Sequence, residues 1–244
     1  MKKLTLLALA MTASVAVMAQ RVTDRVDRGL VSVPCSSGGQ LVSWRIFGEE
    51  YYDVTYNLYR GGTKIAEGLK VSNYRDAAGN ANSQYQVAAV VRGVEQEKSA
   101  VVKPWTTDDG NGNKYWPIRV KGITDRNGVD ATANYQLNDV SLADLDGDGR
   151  TEFIIKRPCD VATDVNQKTR FHVLDCYDWD GNRLWWIDLG PNMQAEADEQ
   201  WDAVAFDWDG DGRAEVLMRG ADNMIIHHAD GTVTNLGSMT TDHR

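Results

Sequence analysis

The 244-residue sequence predicts an all-β chain in two parts, a β-sandwich followed by blade-like repeats built from a strand, an acidic loop and a strand. Three observations carry that reading. From Val22 to Trp105, short β-branched and aromatic runs alternate with Gly, Asn and Asp turns, a pattern that fits strands and does not fit helices. A segment centred on Asp144 recurs 63 residues later at Asp207. Each copy is followed by a second hairpin with an Asp-Gly turn, Asp180-Gly181 and Asp230-Gly231.

At the amino terminus, Lys2 and Lys3 precede an apolar run from Leu4 to Val17 and a small-residue exit at Val17-Met18-Ala19. Residues 1–19 are therefore expected to be a cleavable signal peptide, directing the mature chain to the periplasm or the exterior. The run is too short for a membrane span, and no later segment approaches the about 20 apolar residues that one requires. Loss of the two lysines moves the formal net charge from -9 to -11. So acidic a chain argues against nucleic acid as a partner.

About 225 residues would then remain, enough by length for one or two domains, and two fits better. Within 20–105 the runs Leu41–Trp44, Val54–Tyr59 and Tyr85–Val91 read as strands, separated by turns such as Gly61-Gly62 and Ala78-Gly79-Asn80. The spacing suits a β-sandwich, with Trp44 and Tyr59 as core aromatics. Residues 106–115, rich in Thr, Asp, Gly and Asn, read as a linker, and 116–244 hold the repeats. Three cysteines, Cys35, Cys159 and Cys176, exclude a disulfide-stapled scaffold. Cys159 and Cys176 could pair in an oxidising compartment, which leaves one thiol over.

In the repeat, Val140–Ile155 matches Ala203–Met218, and each copy with its following hairpin amounts to a four-stranded unit of propeller-blade size. The first copy is longer between loop and turn, mostly within Arg157–Arg170. Such an insertion is either a loop on a binding face or a tolerated surface insertion.

The loops carry the chemistry. Calcium takes six to eight oxygen ligands, and carboxylates on alternate residues of a tight loop curl around one point. Asp144, Asp146 and Asp148 have that spacing, the Arg150 carbonyl follows at the seventh position and Glu152 at the ninth; Asp207, Asp209, Asp211, Arg213 and Glu215 repeat it. An EF-hand would need Glu at the twelfth position between helices, where this chain has Ile155 and Met218 between strands. Without a cation the carboxylates would repel one another, so the alternative is a solvated, disordered loop. Trp179 and Trp208, each in an Asp-Trp-Asp context, are expected in the core. Strand alternation splits Trp185 from Trp186 and His227 from His228 across two faces. The histidines read as structural or surface groups, with no third ligand at zinc spacing.

Together these residues resemble a known family. Asp27-Arg28-Gly29-Leu30-Val31, Ser43-Trp44-Arg45, Asn57-Leu58-Tyr59-Arg60, the two acidic loops and Asp180–Gly190 are similar to the rhamnogalacturonan lyases of polysaccharide lyase family 11. The resemblance runs from about Val22 to the end. It implies a fibronectin-III-like β domain followed by an eight-bladed, calcium-binding β-propeller. It also implies a lyase that cleaves rhamnogalacturonan I, the pectin backbone of alternating rhamnose and galacturonate, by β-elimination. Asn138 matches a substrate-contacting Asn of the family. Elsewhere the chain departs from the family pattern: Lys156-Arg157-Pro158-Cys159-Asp160 stands for Lys-Trp-Asp-Pro, and Glu196–Trp201 stands for a Gly-Ala-His-Tyr-like stretch.

Two functional readings follow. The chain is a rhamnogalacturonan lyase, expected to be incomplete because it holds roughly two blades, or it is a non-catalytic, calcium-stabilised module for carbohydrate binding or adhesion. The sequence assigns no catalytic base and no oligomeric state.

Overall fold

The computed structural model describes residues 26–48, 50, 52–193 and 201–244. The expected signal peptide and the stretch Glu196–Gln200 lie outside these residues.

Among the described residues, seven strands precede residue 100: β1 (Val31–Pro34), β2 (Gln40–Ser43), β3 (Thr55–Arg60), β4 (Thr63–Leu69), β5 (Asn73–Asp76), β6 (Tyr85–Val91) and β7 (Val94–Lys98). They form two antiparallel sheets, β1-β2-β5 and β4-β3-β6-β7. The β3–β4 turn has Gly61 at φ +56° and Gly62 at φ +80°. Two consecutive positive φ values match the twist of a tight hairpin and favour glycine at both places. Leu30, Val42 and Trp44 from one sheet pack with Tyr56, Leu58, Tyr85 and Val87 from the other in a single core, so the two sheets are the layers of a sandwich. Trp44 packs edge-on against Tyr56 at 5.5 Å. Tyr59 is also buried, and its hydroxyl donates to Glu95 at 2.5 Å.

The remaining strands are β8 (Val140–Ala143), β9 (Glu152–Arg157), β10 (Val173–Tyr177), β11 (Arg183–Asp188), β12 (Ala203–Phe206), β13 (Glu215–Met218), β14 (Met224–His228) and β15 (Val233–Leu236). The first four pair in sequence order as an antiparallel meander, which is the expected four-stranded unit.

The second copy corrects that expectation. Its hairpins separate: among the described residues β12 pairs only with β13, while β14–β15 joins β11 to give a six-stranded sheet, β15-β14-β11-β10-β9-β8. The open edge of β11 presents unpaired N–H and C=O groups, and β14 satisfies them. In that register Trp186 lies opposite His227, and their rings stack at 3.7 Å and 4°. Arg126 clamps the junction, donating to the Asp188 carboxylate at 2.7 Å and to both the side chain and the carbonyl of Asn223. Among the described residues no sheet closes into a barrel.

Beneath the six strands, Ile154, Leu174, Cys176, Ile187, Leu189, Trp201 and Met224 make a second core. Asp175, fully buried, accepts from Arg157 at 3.0 Å and from the Tyr177 hydroxyl at 2.7 Å. It also pairs with Arg183 at 2.8 Å. Cys159 and Cys176 are buried free thiols, so the possible pairing does not form. As expected, Trp185 packs against the core while Trp186 meets His227 on the other face. Trp208 departs from expectation: it lies in the loop beyond β12, edge-on to Phe206 at 5.9 Å, and is 47% exposed.

Candidate metal loops

Each acidic loop joins two antiparallel strands, β8 to β9 and β12 to β13, and its conformation is written in its own hydrogen bonds. In the first loop, Gly147 N–H donates to Asp144 Oδ1 at 2.8 Å and Gly149 N–H to Asp144 Oδ2 at 2.8 Å. Asp148 N–H donates to Asp146 at 3.1 Å, Arg150 N–H to Asp148 at 2.7 Å, and Leu145 N–H to Glu152 at 2.7 Å. The second loop repeats all five bonds 63 residues on. Asp207 accepts from Gly210 and Gly212, Asp209 from Asp211, Asp211 from Arg213, and Glu215 from Trp208. Asp side chains bond backbone two residues ahead with little strain, and here that habit is chained to bend the backbone around a carboxylate centre.

Within each loop three carboxylates converge. One oxygen each from Asp144, Asp146 and Glu152 lies within 4.8 Å of the others, and the same holds for Asp207, Asp209 and Glu215. Both groups could hold a metal ion. Asp148 and Asp211 stand outside these triangles, their carboxylates turned to the backbone amides of Arg150 and Arg213. The flanking elements are strands, so the structure also excludes the EF-hand.

Asp144 and Glu152 are buried, at 3% and 2% exposure. Burial, followed by the charges of neighbouring aspartates, pushes the Glu152 carboxyl up to about 7. Burial likewise raises Asp144, against the two glycine amides that favour its charged form. Carboxylates held this close without a cation resist ionisation, and a cation relieves that cost.

The two loops touch. Ala214 N–H donates to the Asp144 carbonyl at 2.6 Å. The first loop also reaches the sandwich, because Asp27 N–H donates to the Gly149 carbonyl at 2.5 Å and Arg45 reaches Thr151. Sequence spacing found the carboxylates but not these links, which join residues far apart in the chain. Asn138 is not brought to the acidic centre. Exposed, with its N–H on the Lys156 carbonyl at 3.0 Å, it lies at the opposite end of β8, roughly 20 Å along the strand. Lys156 itself is buried between repeats, paired with Asp202 and placed over the Trp201 ring at 5.1 Å.

Two all-β layers joined to strand-flanked loops whose carboxylates could hold a metal ion define a class of β-repeat protein. Comparison with known proteins narrows this. Residues 21–105 match the family model described as rhamnogalacturonan I lyases beta-sheet domain, and 115–244 match rhamnogalacturonan lyase family 11, C-terminal domain. The chain belongs to rhamnogalacturonan lyase family 11. It is 38% identical over 232 residues to rhamnogalacturonan endolyase YesW of Bacillus subtilis, covering 93% of this chain and 35% of that protein. It is 34% identical over 229 residues to rhamnogalacturonan exolyase YesX of the same organism, covering 92% of this chain and 36% of that one. Among solved structures, the YesW crystal structure superposes with a TM-score of 0.73 at 36% identity, covering 93% of this chain and 37% of that one. A Bacillus licheniformis rhamnogalacturonan lyase superposes with 0.72 at 35% identity, covering 92% and 37%. The chain thus spans about a third of the length of the curated relatives it matches.

Proposed function

We propose that this chain supplies the sandwich and first calcium loops of a secreted or periplasmic rhamnogalacturonan lyase. Its sandwich, residues 20–105, would be fibronectin-III-like, joined through a linker at 106–115 to propeller blades in 116–244. The observation that carries this reading is the pair of preorganised carboxylate loops in a chain belonging to this lyase family.

The donors suit calcium. They are all oxygen, as hard cations prefer, whereas zinc sites are built around His nitrogen or Cys sulfur, with a carboxylate at most added. Asp144, Asp146 and Glu152 would hold one ion and Asp207, Asp209 and Glu215 the other, with Asp148, Asp211 and the Arg150 and Arg213 carbonyls completing each shell. Bound calcium supplies positive charge that lets an acidic chain hold a polyanion and that acidifies the proton beside a uronate carboxylate. The protein's own part here is to fix the strands around each loop and to tie the first loop to the sandwich. In the elimination itself, a base takes the galacturonate C5 proton, a C4–C5 double bond forms and the C4–O bond breaks. Asn138 would meet the sugar from the far end of β8.

The test is ultraviolet absorbance of the unsaturated product when the purified chain meets rhamnogalacturonan I with calcium. A rise supports the lyase. The departures from the family pattern at Lys156–Asp160 and Glu196–Trp201 favour a second reading, a non-catalytic calcium-stabilised carbohydrate-binding or adhesion module. Retained binding without any rise would favour the module.

A further inference from the structure

Where the sandwich meets the repeats there is a cavity of about 700 Å³. A row of aromatic rings lines one wall. Trp105 and Trp116 lie 6.5 Å apart, Trp116 and Trp179 6.2 Å, and Trp179 and Phe153 5.0 Å. Trp116 donates its indole N–H to the Trp179 carbonyl at 2.7 Å, which fixes that ring while leaving it 41% exposed. Three cations share the lining with one carboxylate, Asp27; Asp27 pairs with Arg45 at 3.8 Å, which leaves Lys103 and Arg150 in excess. The cavity is therefore locally positive in a chain of net charge -9.

Aromatic faces favour the C–H faces of pyranose rings, and guanidinium groups recognise carboxylates through paired, charge-assisted hydrogen bonds. We infer that this cavity is a subsite for an acidic sugar residue: a pyranose stacks on the exposed face of Trp116, with Trp179 set edge-on beside it at 61°, and its carboxylate is met by Arg150. The inference rests on the acidic-polysaccharide substrate proposed above, and it adds a second place on the chain where that polymer is held.

Arg150 gives the subsite a link to the acidic loop. Its guanidinium lies 5.1 Å from the Trp179 ring, while its backbone belongs to the loop closed by Asp148. The Trp179 indole N–H donates to the Thr151 carbonyl at 2.9 Å, and Asp27 N–H holds the Gly149 carbonyl. Arg150 and Thr151 of the loop line the cavity and Gly149 is tied to Asp27 on its wall, so loop order and sugar binding are coupled.

Binding of trigalacturonate and of its methyl ester to the full chain, followed by calorimetry and tryptophan fluorescence, tests this. Arg150→Met, which keeps the backbone carbonyl, and Trp116→Ala should each weaken trigalacturonate binding by about tenfold or more, and esterification should do the same. Trp116→Phe, which keeps an aromatic face, should restore most of the affinity, separating lost stacking from misfolding. Ester bound as tightly as acid, or wild-type affinity in Arg150→Met, would overturn the subsite. If Arg150→Met loses trigalacturonate while the wild-type chain yields no unsaturated product, the subsite stands and the lyase reading fails.

Discussion

The amide of Ala214, one residue before Glu215, donates to the carbonyl of Asp144 at 2.6 Å. Two loops 63 residues apart in sequence thereby share a backbone bond, and the carbonyl of the first-position aspartate of one loop is held by the chain of the other. Gly147 lies at the same contact: at φ +82°, a Cβ there would sit 3.2 Å from Arg213 Cγ and 3.3 Å from the Gly212 carbonyl oxygen. The loops are therefore one paired structure, and several outcomes can be measured.

Calcium titration should resolve two sites. Asp144→Asn and Asp207→Asn should each remove one of them, and each occupied site should add about 2.7 kcal/mol of stability at a calcium concentration a hundred times its dissociation constant. Calorimetry of both variants, with thermal unfolding at several calcium levels, checks this. Two full-affinity sites in either variant would refute the ligand assignment.

The Glu152 carboxyl, pushed up to about 7 by burial and neighbouring charge, binds its proton more tightly in the folded than in the unfolded chain. The sign follows from linkage: the metal-free protein should lose stability as pH rises from about 4.5 to about 7, and Glu152→Gln should flatten that slope. Calcium needs the charged form, so affinity at the first site should fall below pH 7. Urea unfolding and calcium titration across pH 5 to about 8 would reveal both trends.

Gly147→Ala places a side chain in the left-handed region and against the second loop. It should cost about 1–3 kcal/mol and weaken both calcium sites together. Weakening confined to the first site would show that the loops act independently.

Asp175 lies between Arg157 and Arg183 at 0% exposure. Asp175→Asn leaves two guanidinium groups facing a neutral amide, and breaking a buried pair costs about 3–5 kcal/mol. Denaturant unfolding of this variant, beside Leu58→Ala in the sandwich core at about 2–5 kcal/mol, should show comparable losses in the two parts of the chain.

Legibility in the sequence tracked the range of the interaction. Trp44, Tyr59 and the hairpin at Gly61-Gly62 were readable because alternation and positive-φ turns are decided within a few residues. The acidic loops were readable for the same reason: all five bonds in each close within seven residues. Trp208 was not, since its burial depends on which distant segments pack against the loop that carries it. The roles of Trp116 and the Arg150 side chain were also hidden, because they face a cavity whose walls come from both parts of the chain.

The sequence by itself determined the all-β character, the repeat, the carboxylate spacing and the family. Only the tertiary structure decided that β14 takes the edge of β11, that Cys159 and Cys176 stay apart, and that Ala214 grips Asp144. The reason is physical. Turns and side-chain-to-backbone bonds are local and pay little chain entropy, whereas strand partners far apart compete for the same open edges, and that competition is settled by which pairing buries and satisfies more at once.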